Sequence, residues 1–321
     1  LTSWRLKPTD WERHKQYDEH LAIMRHVVRI TNEAHAPWLV VEATDERFAF
    51  LTVGQTIEHN IRERLASPEV EVRRGPPKTP PPIDNLHLMD HVDLGQSIPR
   101  DKYERRKAEL QGTLSGLTRS KKFKKRAAVA VFEGVDAAGK GGAIRGATAA
   151  LDARYYTVVP IAAPTDEEKL HPYLWRFWRH IPRLGRTTIF DRSWYGRVLV
   201  ERVEGFAAED DWMRAYGEIN DFEEALVDHG VIISKFWLTI SQEEQLARFK
   251  AREKTGYKRH KITDEDWRNR EKWEDYCAAM EDMIERTSTG VAPWTIVEAE
   301  DKKFARIKVL ETLCNRIEDA L

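Results

Sequence analysis

Residues 127–142 read Ala-Ala-Val-Ala-Val-Phe-Glu-Gly-Val-Asp-Ala-Ala-Gly-Lys-Gly-Gly, an apolar run that passes directly into a glycine-rich turn. The apolar half, 127–133, predicts a buried strand. The glycines allow backbone N–H groups to turn inward around a phosphate, and a helix that begins near Lys140 would point its positive end at the same anion. We therefore interpret 134–142 as a phosphate-binding loop, in the order of strand, loop and helix that such a site requires.

Two acidic residues are candidates to hold a metal ion beside this loop. Gly141 occupies the place where such loops usually carry the Ser or Thr that binds magnesium. Asp136, within the loop, is the alternative, because a carboxylate beside bound phosphates is repelled unless a cation lies between them. Asp191 ends another predicted strand and is followed by Arg192, which is typical of a second metal anchor. We expect Mg²⁺ here, with Mn²⁺ as an alternative; a solvated Asp-Arg helix cap is the competing interpretation of the second pair.

Strands and helices alternate from residue 127 to the end of the chain. The apolar patterns predict strands at 127–133, 156–161, 187–190, 231–238 and 294–297. They predict helices at 141–150, 166–180, 192–203, 209–228, 242–253 and 265–287. This alternation indicates an α/β fold in which helices cover both faces of a five-stranded parallel sheet.

The stretch 248–261 carries six positive charges in fourteen residues: Arg248, Arg252, Lys254, Lys258, Arg259 and Lys261. It follows the helix after the fourth strand, where kinases with a phosphate-binding loop carry a mobile lid. A cationic lid can neutralise charge on a transferring phosphoryl group and exclude water. A solvated helix end is the alternative.

The chain also contains an internal repeat. Residues 5–65 align without a gap to residues 261–321 with eighteen identities, among them Asp10-Trp11 with Asp266-Trp267. Both copies predict a helix, a short strand and a second helix, which in the first copy occupy 9–31, 38–42 and 45–65. The prolines of 67–86 favour extended chain and predict a linker.

We therefore expect a two-domain organisation. Residues 87–321 would form one complete catalytic domain, and residues 1–66 would be the C-terminal remnant of a first copy whose remainder this chain lacks. An isolated helix–strand–helix has no sheet of its own to join. We expect it to pack on the main domain, to pack on another chain, or to be weakly ordered.

The composition narrows the class of protein. The 321 residues include 52 Lys+Arg and 53 Asp+Glu, so the net charge of -1 argues against a protein that coats nucleic acid or membranes by bulk charge. No apolar run approaches the ~18 residues of a membrane span. Cys277 and Cys314 have no metal-binding spacing, and we expect free thiols in a cytoplasmic protein. A homo-oligomer is left open.

Several motifs together resemble the polyphosphate kinase 2 family. The loop 134–145 is similar to that family's loop, and its GxDxxGKGG form differs from ATP-using kinases and GTPases. Residues 175–179 (Trp-Arg-Phe-Trp-Arg), 190–197 (Phe-Asp-Arg-Ser-Trp-Tyr-Gly-Arg) and Asp266-Trp267 are similar as well. The resemblance covers about 87–321. It implies a three-layer P-loop kinase fold with a helical lid.

The resemblance also implies an activity. Members with two fused copies transfer the terminal phosphoryl group of inorganic polyphosphate to AMP and give ADP. As implied catalytic residues it carries over Asp136, Lys140, Asp191, Arg192 and Arg252, with Asp136 and Asp191 also holding the metal. Polyphosphate and nucleotide would bind to Gly134, Gly139, Gly141, Gly142, Arg145, Lys254, Lys258 and Arg259.

Three alternatives stay open at this point. A polyphosphate-dependent nucleoside diphosphate kinase would share every motif. An ATP-dependent nucleoside monophosphate kinase is disfavoured by Gly141, and a GTPase by the lack of an Asn-Lys-x-Asp motif. A non-catalytic scaffold is disfavoured for the main domain by the intact Asp136, Lys140, Asp191 and Arg192, but that role suits the residual first copy.

Overall fold

The computed structural model of the protein describes residues 6–66, 88–254 and 264–321. The chain divides into two compact units, Leu1–Val72 and Arg73–Leu321. Among the described residues no helix combines the length and apolarity needed to cross a bilayer. Both cysteines are free thiols, with Cys314 buried and Cys277 half-buried, as the sequence predicts.

The first unit consists of three helices, α1 (Pro8–Lys15), α2 (Tyr17–Thr31) and α3 (Glu46–Ala66). None of them buries a residue. The strand predicted at 38–42 is wrong, since these residues have no regular secondary structure. Within residues 6–66 no strand lies beside them to accept their backbone hydrogen bonds, and a strand exists only as part of a sheet.

The repeat is nevertheless visible in the local geometry of the two copies. The indole Nε1 of Trp38 donates to Thr31 Oγ1 at 2.8 Å. The indole of the equivalent Trp294 donates to Thr287 Oγ1 at 2.9 Å. Identical residues thus form the same short-range hydrogen bond in both copies, although Trp38 is 55% exposed and Trp294 only 9%.

The second unit contains a five-stranded sheet in which every pairing is parallel. Its strands are β1 (Ala127–Gly134), β2 (Tyr156–Pro160), β3 (Thr187–Asp191), β4 (Val231–Thr239) and β5 (Trp294–Glu298). Their order across the sheet is β2-β3-β1-β4-β5. The predicted α/β fold with a five-stranded parallel sheet is confirmed, and each predicted strand is present within one residue at either end.

Helices cover both faces of this sheet. They are α4 (Arg100–Arg119), α5 (Lys140–Thr148), α6 (Asp166–Lys169), α7 (Trp175–Trp178), α8 (Val200–Val203), α9 (Glu209–Asp228), α10 (Gln242–Glu253), α11 (Asp264–Glu271), α12 (Trp273–Thr287) and α13 (Lys302–Asp319). Alternate residues of β1 point to opposite sides: Ala128, Ala130 and Phe132 join the core under α4, α5 and α13. Val129 and Val131 join the core under α9 and α12. The result is a three-layer sandwich.

Four predicted helices are broken in the structure. Those predicted at 9–31 and 265–287 are interrupted at the equivalent positions Gln16 and Lys272 of the two copies. The helix predicted at 166–180 is replaced by α6 and α7, which are separated around Pro172, a residue that has no N–H to continue a helix. The helix predicted at 192–203 is a 3₁₀ turn, Trp194–Arg197, followed by α8. Arg192 has φ of 63°, a left-handed conformation that no α-helix contains.

The strand order places the two motif-bearing strands side by side. β1 pairs directly with β3, and Phe132 of β1 is in register with Asp191 of β3. Because both strands run the same way, the loop after β1 and the residues after β3 emerge at one edge of the sheet. This edge is where the candidate site forms.

Candidate active site

The loop that follows β1 turns sharply at three residues with positive φ. Gly134 has φ of 142°, Ala137 of 64° and Gly139 of 111°, directly before α5 begins at Lys140. A Cβ on Gly134 would overlap the carbonyl oxygen of Leu238 on the neighbouring β4, so only glycine fits there. The Lys140 ammonium donates to the carbonyl oxygen of Gly134 at 2.6 Å, which holds its side chain back along the loop.

Asp136 is half-buried at the centre of the site. The amide Nδ2 of Asn269, on α11, donates to Asp136 Oδ2 at 2.8 Å. The guanidinium of Arg192 lies 3.6 Å from Asp136 Oδ1. The hydroxyl of Tyr276 donates to Asn269 Oδ1 at 3.1 Å, which fixes the amide with its N–H groups toward the carboxylate. Asp136 therefore joins the loop, the residues after β3, and α11.

A cleft of about 550 Å³ opens over the loop. Nine of the residues predicted to act at this site line it: Asp136, Gly139, Lys140, Gly141, Gly142, Arg145, Asp191, Arg192 and Arg252. Gly134 instead lines an adjoining apolar cavity of about 80 Å³. Lys254 is exposed and does not line either cavity. Lys258 and Arg259 lie outside the described residues.

Arg248 does not behave as the exposed lid cation that the sequence suggested. It is 6% exposed, and its guanidinium donates to the carbonyl oxygens of Ala137 at 2.9 Å and Ala138 at 3.0 Å. It also donates to the carbonyl oxygens of Ala299 at 2.8 Å and Glu300 at 2.9 Å, beyond the end of β5. Arg248 therefore fastens the phosphate loop to the sheet, with a planar group whose several donors suit converging carbonyls.

The residues after β3 are held by a buried polar network. The Lys235 ammonium, 0% exposed, donates to Glu223 Oε2 at 2.7 Å and to the Tyr195 hydroxyl at 2.8 Å. The Tyr195 hydroxyl donates to Glu223 Oε1 at 2.6 Å, and the indole of Trp194 donates to the same oxygen at 3.1 Å. These bonds fix the turn that directly follows Asp191 and Arg192. Tightly satisfied buried networks rigidify the segment that they hold.

Glu133 is a buried carboxylate immediately below the loop. It is 5% exposed and accepts a hydrogen bond from the Ser193 hydroxyl at 2.7 Å. Burial raises the pKa of Glu133 above its usual range, although that hydrogen bond and the charges of Lys140 and Arg192 partly oppose the shift. Glu133 links the end of β1 to the residues after β3.

Sequence reasoning missed several residues of this cleft. Lys302 and Arg306 of α13 line it, and Asn269 contacts Asp136 from a helix more than a hundred residues away in sequence. One signal was present in the repeat, where Lys302 and Arg306 align with Glu46 and Phe50. Because the first copy forms the same helix without these two cations, they indicate a role other than folding of the helix.

The cleft as a whole is suited to a polyanion. Among the described residues its lining includes seven cationic side chains: Lys140, Arg145, Arg192, Arg248, Arg252, Lys302 and Arg306. Its acidic residues are Asp136, Asp191 and Asp266. Loop amides and a helix N-terminus add further positive potential. Such an arrangement can hold and neutralise phosphates and leaves two loop-side carboxylates, Asp136 and Asp191, for a cation.

Comparison with known proteins agrees with this geometry. The family model for polyphosphate kinase 2 matches residues 1–68 and 97–321. A polyphosphate:AMP phosphotransferase of Pseudomonas aeruginosa is 56% identical over 320 residues, which are 99% of this chain and 64% of that protein. One from Acinetobacter johnsonii is 42% identical over 98% of this chain and 62% of that protein. The chain therefore spans less than two thirds of the length of these relatives.

A solved structure is similar as well. The crystal structure of a putative polyphosphate kinase 2 from Pseudomonas aeruginosa superimposes with a TM-score of 0.86 at 54% identity. The match covers 98% of this chain and 66% of that one. The three-layer fold is thus that of known polyphosphate kinase 2 structures.

Proposed function

Because the chain belongs to the polyphosphate kinase 2 family, we propose that it transfers the terminal phosphoryl group of inorganic polyphosphate to a nucleotide, with AMP as the acceptor and ADP as the product. One observation carries this proposal. The phosphate loop, Asp136, Asp191 and a set of cationic side chains converge on a single cleft of about 550 Å³. The relatives of known name that match nearly the whole chain support AMP as the acceptor.

The donor set fits a magnesium ion. Asp136 and Asp191 offer hard oxygen ligands beside the loop, and the described residues contain no cluster of three or more His, Cys, Asp or Glu that would form an all-protein metal site. Mg²⁺ characteristically takes one or two carboxylates and completes its shell with water and substrate phosphates. When bound, the ion would offset the negative charge of the phosphates and align them. Mn²⁺ would suit the same ligands.

The protein's own residues would mainly position the two substrates and neutralise the charge of their phosphates. Loop amides and Lys140 would hold the donor's terminal phosphate, for which the Lys140 ammonium would leave the carbonyl oxygen of Gly134. Arg192 and Arg252 would compensate charge on the transferring group. The rest of the polyphosphate chain would bind along Arg145 and the cations at 254, 258 and 259. Phosphoryl transfer needs little covalent chemistry from the protein, so positioning and charge suffice.

The two copies would have different roles. We assign catalysis to residues 87–321 and treat 67–86 as a linker. Residues 1–66 would be the C-terminal part of a first family copy. The separate family match to 1–68 and the shared indole–threonine hydrogen bond support this assignment.

One assay tests the proposed function. The purified chain is incubated with AMP and Mg²⁺, with polyphosphate or ATP as the sole donor, and ADP is measured. We expect ADP from polyphosphate and none from ATP. Parallel reactions with ADP or GMP in place of AMP define the acceptor. Absence of product with polyphosphate would overturn the proposal, and ADP formed only with ATP would indicate a nucleoside monophosphate kinase instead.

A further inference from the structure

One wall of the cleft is formed where α13 packs against α5. The Arg306 side chain of α13 lies across two glycines of α5 that are one helical turn apart. A Cβ on Gly142 would sit 3.1 Å from its Nη2, and a Cβ on Gly146 would sit 3.9 Å from its Cγ. The first distance is closer than a Cβ usually comes to another atom and the second is an ordinary van der Waals contact, so it is Gly142 that leaves room for the guanidinium. The guanidinium is thereby directed toward the phosphate loop, which ends at Gly142.

Contacts from α4 also hold Arg306 in place. The hydroxyl of Tyr103, a 5% exposed residue of α4, lies 3.4 Å from Arg306 Nη1. An ion pair at 2.8 Å between Arg106 and Glu311 joins α4 to α13. Arg306 is thus half-buried between α4 and α5, and its polar end still lines the cleft. A long cationic side chain held in this way loses little entropy when an anion binds.

Comparison of the two copies shows which residues of α13 the fold of the helix requires and which it does not. Residues of α13 that pack in the core are alike in both copies: Ala305 aligns with Ala49, Val309 with Val53 and Ile317 with Ile61. Arg306 aligns with Phe50, and Lys302 aligns with Glu46. The fold of this helix therefore needs neither cation. Both cations belong to the second copy, where they line the cleft over the phosphate loop, and the aligned positions of the first copy carry neither.

We propose that Arg306, with Lys302 one turn before it, binds the polyphosphate chain beyond the phosphoryl group that is transferred. The proposal rests on the proposed function, since it names the wall of the same cleft along which the donor lies. Gly142, the last glycine of the loop motif, then has a specific role: it leaves room for the Arg306 guanidinium beside the loop. Arg306, Arg145 and the loop amides lie in one cleft, so a linear polyanion could contact all of them through successive phosphates.

The test compares R306A with K308A, a matched loss of one positive charge on the same helix. Lys308 pairs with Glu298 at 2.6 Å and does not line the cleft. For long-chain polyphosphate we expect R306A to raise KM about tenfold, because a charge-assisted contact to phosphate is lost. The KM for AMP and kcat should stay within about twofold of wild type. The KM for tripolyphosphate should rise much less than the KM for the long chain. G142A should raise the same KM by crowding the guanidinium, and K308A should change nothing.

Direct binding makes the result independent of turnover. Displacement of a fluorescent polyphosphate from wild type, R306A and K308A gives the affinity even if no ADP is formed, so failure of the proposed function and failure of this inference are distinguishable. Weaker binding by R306A at an unchanged melting temperature supports the inference. An affinity for polyphosphate equal to that of K308A would overturn it, as would a loss confined to kcat, which would place Arg306 at the reacting phosphate.

Discussion

Replacing Arg248 with alanine should destabilise the second unit strongly. The variant leaves the carbonyl oxygens of Ala137, Ala138, Ala299 and Glu300 without the donor that each now has at 2.8–3.0 Å. It also breaks the ion pair at 2.6 Å with Glu244. Removing one partner of a buried charged network costs about 3–5 kcal/mol. For a domain of this size that corresponds to a fall in melting temperature of about 10 °C.

The assay is thermal unfolding followed by tryptophan fluorescence, with R106A as the matched control. Arg106 also pairs with an acid, Glu311, at 2.8 Å, but both side chains are more than a third exposed, and such pairs contribute about 1 kcal/mol or less. R106A should therefore melt within about 3 °C of wild type. R248K should fall between the two, since an ammonium keeps the charge but cannot reach four carbonyls with a planar fork. If R248A melted like R106A, the structural role given to Arg248 would be refuted.

Three further predictions concern the loop and its surroundings. D136N should lower turnover on the order of a hundredfold or more, measured as ADP formed. Its melting temperature should stay near that of wild type, because the new amide oxygen can still accept the hydrogen bond from Asn269. Wild-type turnover would contradict the role given to Asp136. G134A should fold poorly, whereas G141A, whose Cβ would meet no atom within 4 Å, should melt near wild type; equal melting temperatures would disprove the clash with Leu238. Because burial raises the pKa of Glu133, the folded protein holds that proton more tightly than the unfolded chain, and wild-type stability should fall as pH rises above the ordinary glutamate range. The melting temperature of E133Q relative to wild type should therefore increase from pH 5 to pH 8, and a constant difference would contradict the raised pKa.

Much of the main unit's architecture follows from the sequence. Apolar runs of strand length, interrupted by amphipathic helices, are a local signal, and each predicted strand of the second unit is present. The loop after β1 was equally predictable, because glycines at fixed positions indicate the backbone conformation that they permit. Helix boundaries were less predictable: the break at Arg192 comes with a left-handed backbone conformation, and arginine itself carries no signal for it.

The first copy shows which structural features a local sequence pattern is sufficient to produce. Trp38 and Thr31 form the same short-range hydrogen bond as their counterparts Trp294 and Thr287, because that bond spans only seven residues. The strand at 38–42 does not form, whereas β5 pairs with β4. Helices complete their hydrogen bonds within one segment, but a strand needs a partner segment, so the same pattern gives a strand in only one copy.

The sequence by itself thus determined the sheet, the phosphate loop and the acidic residues beside it, since each lies in a contiguous stretch with its own periodicity or glycine spacing. Only the tertiary structure decided which distant side chains serve that loop. Arg248 lies a hundred and ten residues beyond the carbonyl of Ala138 that it binds, and Asn269 lies a hundred and thirty-three beyond Asp136. The Arg306 guanidinium lies beside the loop where Gly142 of α5 leaves room for it. Interactions of this kind depend on how the layers pack, and no local pattern encodes them.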